Sequence, residues 1–146
     1  GRIREKLVKS DLVEAIVTLG DKLFYGTGLS PCFMILRRLK PASHSARVLM
    51  IDGTKILTAK RAQNILSPED VDRLYELYCK YEDIEDFSKV VTIDDIAAKG
   101  YDLSPNKYVN YHKEEIRPYA EVIAEFKAAY EEVLKREAEF EKLINA

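Results

Sequence analysis

The sequence has no tryptophan, only two cysteines and two histidines, and no excess of either charge, with 23 Lys+Arg against 25 Asp+Glu in 146 residues. Each shortage removes a class of function. Cys32 and Cys79 lie far apart. They form neither a CxxC pair nor a zinc framework, and read as two buried thiols. His44, in a polar loop, and His112, just before a helix, have no ligand-type neighbour at metal spacing, so no metal site is expected. A net charge of -2 is not that of a protein that grips nucleic acid by bulk charge. Arg37, Arg38, Lys40, Lys60 and Arg61 are scattered, whereas phosphate contact needs a concentrated patch, so DNA binding by this chain alone should be weak. No apolar run approaches the ~20 residues of a membrane helix, and Gly1-Arg2-Ile3-Arg4-Glu5 lacks the apolar core of a signal peptide. A soluble, cytoplasmic chain is expected. The five prolines are all isolated, which excludes Asn-Pro-Pro and Asp-Pro-Pro, and GxSxG, GxxxxGK[ST] and HExxH are absent. No catalytic residues are assigned. A first residue other than Met suggests a piece of a longer protein.

What is there is a domain's worth of apolar residues, 47% of the chain, in short patterned segments. Ile3, Leu7 and Val8 sit at helical spacing among charges, the end of an amphipathic helix. Val13-Glu14-Ala15-Ile16-Val17-Thr18-Leu19 reads as a strand, bounded by Gly20-Asp21. Cys32-Phe33-Met34-Ile35-Leu36 is apolar throughout, the pattern of a strand buried on both faces. Arg47-Val48-Leu49-Met50-Ile51-Asp52 is a third strand, ending at Gly53. Strands joined without an intervening helix suggest the antiparallel edge of a mixed sheet. Ser67 as N-cap, Pro68 at the first helical position and Glu69 and Asp70 in the first turn start a helix whose stripe is Val71, Leu74, Leu77, Tyr78 and Tyr81. Thr92 with Asp95 starts a shorter helix that Gly100 stops. Glu82, Asp83, Glu85 and Asp86 read as a solvated acidic face.

Ile116, Tyr119, Ile123, Phe126, Tyr130, Val133, Glu137, Phe140 and Ile144 follow alternating steps of three and four, a heptad seam broken only by Glu137. Pro118 belongs in a first turn, so a helix should run from about Arg117 to the end. Its aromatic seam needs a surface, either its own domain or another chain. Phe24-Tyr25-Gly26-Thr27-Gly28 formally fits the F-x-G-x-G loop of S-adenosylmethionine-dependent methyltransferases. That chemistry needs a strand running into the glycines and a helix leaving them. Here a turn precedes and an extended run follows, so a small intact methyltransferase using this loop is the weakest reading.

The ordered segments Ile3-Arg4-Glu5-Lys6-Leu7, Asp11-Leu12-Val13-Glu14-Ala15-Ile16 and Leu23-Phe24-Tyr25-Gly26-Thr27-Gly28 closely resemble the downstream half of the modification (methyltransferase) subunit of type I restriction-modification systems. Gln63-Asn64-Ile65-Leu66 and Gly100-Tyr101-Asp102-Leu103-Ser104-Pro105-Asn106-Lys107-Tyr108-Val109 extend the resemblance over nearly the whole chain. Where such subunits usually read Leu-Pro, this sequence has Leu19-Gly20, taken as a tolerated turn substitution. The resemblance implies adenine-N6 DNA methylation in the full subunit, with S-adenosylmethionine as cofactor. The cofactor motif and the Asn/Asp-Pro-Pro-Phe/Tyr motif would lie upstream of this chain, and no cofactor is expected on it.

The resemblance further implies an α/β fold, the truncated C-terminal part of a Rossmann-like methyltransferase sheet with about three strands, followed by a helical extension and a long C-terminal helix. The expected boundaries are 1–60, 61–112 and 113–146. In related enzymes an aromatic residue between two late strands packs on the flipped-out base. Phe24 and Tyr25 occupy that loop, with Gly26 and Gly28 permitting the turn. Either one of the rings touches the target adenine, or Phe24 is a core plug and Tyr25 a surface ring. For Tyr101, Asn106 and Tyr108, packing and a turn are the stronger reading. The implied partners are the specificity subunit, a second modification subunit, and DNA through the complex. Tyr119, Ile123, Phe126, Tyr130, Val133 and Phe140 are the candidate partner-binding residues. A stand-alone interaction module that uses this helix is the alternative.

Overall fold

The computed structural model describes residues 1–61, 63–112 and 119–144. The chain divides into two units, Gly1–His112 and Lys113–Ala146, each described by itself. In the first unit, helix α1 (Arg2–Lys9) leads into strand β1 (Val13–Leu19), followed by β2 (Cys32–Leu36), β3 (Arg47–Gly53), α2 (Pro68–Lys80), β4 (Ser88–Thr92) and α3 (Ile93–Ala98). The strands form one mixed sheet in the order β2-β1-β3-β4. β1 runs parallel to β3, and the two outer pairings are antiparallel. The antiparallel edge expected from the sequence lies between β1 and β2, because β3 crosses to the far side of β1. The fourth strand, β4, was not evident in the sequence.

Two apolar layers sandwich the sheet, as the alternation of side chains along a strand requires. Val48 and Met50 of β3 join Val8, Ile16, Val91, Ile96 and Tyr108 on one face. Leu49 and Ile51 join Ala15, Val17, Leu74 and Leu77 on the other. Val13 and Ile16 share a face despite their odd spacing because the β1–β2 register shifts between Val13 and Ala15. Such a bulge adds one residue and restores the alternation beyond it. β1 and β3 are covered on both faces, which explains their nearly continuous apolar sequence.

The caps follow the sequence. Ser67 accepts from the Asp70 N–H at 3.2 Å while the Asp70 carboxylate accepts from the Ser67 N–H at 2.9 Å, a reciprocal capping box with Pro68 in the first turn. Thr92 and Asp95 repeat it at α3, and Gly100 beyond that helix takes φ +63°. Leu74 and Leu77 of the α2 stripe are buried and Tyr78 and Tyr81 half-buried, but Val71 is half-exposed.

Two expectations need correction. β2 is not buried on both faces: Phe33, Met34 and Leu36 are exposed, because β2 is the outermost strand. Cys32 and Cys79 are exposed free thiols, one on that edge strand and the other on the outer side of α2. Lys40 and Arg37 are structural cations: Lys40 Nζ lies 2.6 Å from Asp11 and Arg37 2.8 Å from Glu14. Within the second unit, helix α4 spans Tyr119–Ile144. Ile116, Arg117 and Pro118 lie outside the described residues. Among the described residues no helix is long and apolar enough to cross a membrane.

Candidate functional site

The loop between β1 and β2 leaves from the C-terminal end of β1, the end at which open α/β sheets hold ligands. Two neighbouring amides pin its first half. The Gln63 side chain donates to the Leu23 carbonyl at 2.8 Å, the Asn64 N–H to the Lys22 carbonyl at 3.0 Å, and the Asn64 side chain to the Asp21 carbonyl at 3.1 Å. These amides are held in turn by paired backbone bonds between Thr58 and Ile65 of 2.9 and 3.0 Å. At the tip, Gly26 takes φ +75°, which an L side chain adopts only under strain. The Leu29 N–H donates to the Thr27 hydroxyl at 3.2 Å.

Pinning at the base leaves the rings outside. Phe24 is 59% exposed and Tyr25 94% exposed, so Phe24 does not plug the core. Lys22, Phe24, Tyr25, Thr27 and Gln63, with the two glycine backbones, surround an open cavity of about 310 Å³. Flat exposed rings beside a polar amide offer a stacking surface and hydrogen-bonding groups to a planar ligand. Gly26 and Gly28 run into the extended strand β2 and not into a helix N-terminus. The loop therefore does not fit the way S-adenosylmethionine is held by an F-x-G-x-G motif.

A second cavity of about 350 Å³ opens at the same end of the sheet, between Thr18, Cys32, Asp52, Thr54, Ser104 and Asn106. Asp52, 6% exposed, is held by three hydrogen bonds within the fold. It accepts from the Thr54 N–H at 3.0 Å, the Thr54 hydroxyl at 2.6 Å and the Tyr111 hydroxyl. Burial, then the bond to Asp52, pushes the Tyr111 phenol up. Near the opposite end of β1, Glu14 is 1% exposed and lies 2.8 Å from Arg37 and 3.0 Å from the His44 ring nitrogen. His44 stacks on Tyr81, centroids 3.6 Å apart and planes 6° from parallel. Burial raises the Glu14 carboxyl, but the His44 and Arg37 hydrogen bonds outweigh it and hold the group below its ordinary value.

Sequence reasoning singled out Phe24, Tyr25, Gly26 and Gly28, and the structure gathers them around one cavity. It missed the supporting roles of Gln63 and Asn64, whose only signal was their place in a family-like segment. Tyr108 is buried, Tyr101 packs on the same cluster, and Asn106 is exposed on a turn. Gly20 is buried, and a Cβ there would lie 2.1 Å from Leu57 Cδ2, so the Leu57 side chain occupies the space that a larger residue would need.

On α4, Tyr119, Phe126, Tyr130, Val133 and Phe140 are exposed and Ile123 half-buried. Phe126 and Tyr130 stack with centroids 6.4 Å apart. Arg136 and Glu132 pair at 2.5 Å.

Comparison with known proteins agrees with this architecture. The model of the N-6 DNA Methylase family matches residues 1–116. The type I restriction enzyme MjaIX methylase subunit of Methanocaldococcus jannaschii is 35% identical over 99% of this chain and 27% of its own length. The HindI methylase subunit of Haemophilus influenzae is 30% identical over 97% of this chain and 33% of its own. The chain thus spans about a third or less of the length of these curated relatives. A solved type I restriction-modification methyltransferase subunit from Streptococcus thermophilus superposes with TM-score 0.67 and 23% identity, covering 74% of this chain and 22% of that one. The mixed sheet with helices on both faces is accordingly shared with a methyltransferase subunit of Rossmann-like α/β fold. The chain belongs to the N-6 DNA methylase family, with the modification subunits of type I restriction-modification systems as its relatives.

Proposed function

We propose that this chain is the downstream part of a type I adenine-N6 DNA methyltransferase subunit, contributing the target-base loop and a helix that docks on the specificity subunit. One observation carries the reading: in a chain of this family, two exposed rings stand on a loop whose base is pinned by Gln63 and Asn64. In the full subunit, S-adenosylmethionine supplies the methyl group, and the residues that hold it belong to the part of the subunit outside this chain. What this chain does is bind and orient. Tyr25 or Phe24 stacks on the extruded adenine, and stacking is worth ~1–3 kcal/mol per base, part of the cost of taking it out of the duplex. Gly26 lets the loop turn without obstructing the base. The complex, with a second modification subunit, works on DNA in the cytoplasm.

Methyl transfer from labelled S-adenosylmethionine to DNA, measured with the full subunit in its complex, tests the loop. Phe24→Ala with Tyr25→Ala should lower kcat/KM by ~10- to 100-fold, the equivalent of that stacking energy, without changing cofactor affinity. Unchanged methylation would remove the base-stacking role.

A second reading, a stand-alone interaction module, is favoured by the exposed aromatic seam of α4. Sedimentation discriminates. A tight dimer of this chain that dissociates with Phe126→Lys and Tyr130→Lys supports the module, and a monomer supports docking on another subunit.

A further inference from the structure

The fold sorts the basic residues that lie scattered in the sequence. Arg37, Lys40, Lys89 and Lys107 are drawn into ion pairs with carboxylates. Lys22, Lys60 and Arg61 are exposed, and among the described residues their side chains meet no carboxylate or other partner. These three gather at one end of the sheet. Lys22 follows the C-terminal end of β1 and lines the open cavity with Phe24 and Tyr25. Lys60 and Arg61 lie between Thr58 and Ile65, whose backbones exchange bonds of 2.9 and 3.0 Å, and the same stretch meets Lys22 and Leu23 through Asn64 and Gln63. Arg61 is two residues from Gln63, so their Cα atoms are no more than ~7 Å apart. The carboxylates here are engaged by neutral donors: Asp21 accepts from the Asn64 side chain at 3.2 Å, and Asp70 from the Thr58 hydroxyl at 3.0 Å. A single unpaired surface cation is ordinary. Three of them, tied by hydrogen-bonded backbone to two exposed rings, form a positive rim around a stacking surface.

We propose that Lys22, Lys60 and Arg61 bind the DNA phosphates on either side of the extruded adenine, gripping the strand whose base stacks on Phe24 or Tyr25. This rests on the reading of the β1–β2 loop as the target-base loop. A strand carries one phosphate per about 3.4 Å of helix axis, so a base held against the rings brings its flanking phosphates to the rim of the same cavity. Extrusion costs the base its stacking and pairing, and contacts to the flanking backbone fix the strand in position while the base is out. Gln63 and Asn64 serve both parts. Their bonds to the Leu23, Lys22 and Asp21 carbonyls hold the cations of one segment at a set distance from the rings of the other. A phosphate contact of this kind carries no sequence information, so its effect on binding is the same whichever sequence the complex reads.

Binding of labelled duplex DNA by the full subunit in its complex, followed against salt concentration, tests the contact. Lys60→Gln and Arg61→Gln should each flatten the slope of log K against log salt by ~1 and weaken binding ~10-fold at ~0.1 M salt. Lys60→Arg keeps the charge and should keep the slope. Arg38→Gln removes an exposed cation beyond the C-terminal end of β2, at the opposite end of the sheet, and should leave the slope as it is. Uncharged methylphosphonates in place of the two phosphates beside the target adenine should abolish the difference between Lys60→Gln and the unaltered complex. Unchanged slopes in both Gln variants would overturn the proposal. So would a difference that persists on the methylphosphonate duplex, which would place the contact elsewhere on the DNA. Methyl transfer by the ring variants reports on the underlying reading separately. Unchanged methylation by Phe24→Ala with Tyr25→Ala, beside a flattened slope in Lys60→Gln, overturns the stacking role and leaves the phosphate contact. Lost methylation by the ring variants, beside unaltered slopes in both Gln variants, overturns the phosphate contact and leaves the stacking role.

Discussion

Buried carboxylates tie this fold to pH at identifiable residues. For Glu14, burial acts upward, but the His44 and Arg37 bonds prevail and hold the carboxyl below its ordinary value near 4.5. Asp11 behaves alike: burial raises it, and the Ala46 N–H and Lys40 hold it below 3.8. A carboxyl depressed in the folded state contributes stability that is fully present above its unfolded value and is lost as pH falls through the folded one. Thermal stability should therefore be flat above about pH 5 and decline toward pH 3, and Glu14→Gln should reduce that decline, as read by melting temperature against pH. A steric prediction belongs to Gly53, where a Cβ would lie 2.8 Å from the Thr18 carbonyl and 2.7 Å from Leu74. Gly53→Ala should cost ~1–3 kcal/mol in urea unfolding. At this scale local spacing put Phe24, Tyr25, Gly26 and Gly28 on one loop but left open whether Phe24 plugs the core, which its exposure answers in the negative. The sequence was not legible where partners come from distant positions. Nothing near Gln63 announces that its amide meets Leu23, and nothing near His44 announces Glu14 and Tyr81.

Elements with their own start signals were legible at their N-termini. α2 begins at Ser67 and Pro68 because both the capping box and the proline are local. Ser67→Ala should lower stability by ~1 kcal/mol, measured in urea, through the loss of one N-terminal hydrogen bond. β4 was illegible because its five residues, Ser88–Thr92, carry no alternation strong enough to stand out. Its strand character comes from pairing with β3, Leu49 opposite Val90 and Ile51 opposite Ser88. β2 was read correctly as a strand and wrongly as buried. Its apolar composition does not distinguish an outer strand from an inner one, and in the sheet it is outermost. The α4 seam was likewise visible as a period, broken only by Glu137.

For the whole molecule, the scarcity of catalytic motifs and the family membership have one explanation. On the proposed reading the chain carries the late strands and the loop of a methyltransferase sheet, and the relatives are several times longer than the segment they share with it. Near-neutral charge suits a part whose neighbours are largely protein, with phosphate contact proposed at one end of the sheet. On this account the chain presents the target base and the docking helix while the cofactor is held elsewhere in the full subunit. Titration calorimetry with S-adenosylmethionine, run on the 146-residue chain beside the full subunit, tests that division most directly. The account predicts saturable one-to-one binding by the full subunit and no binding heat from this chain, and micromolar binding by this chain alone would contradict it.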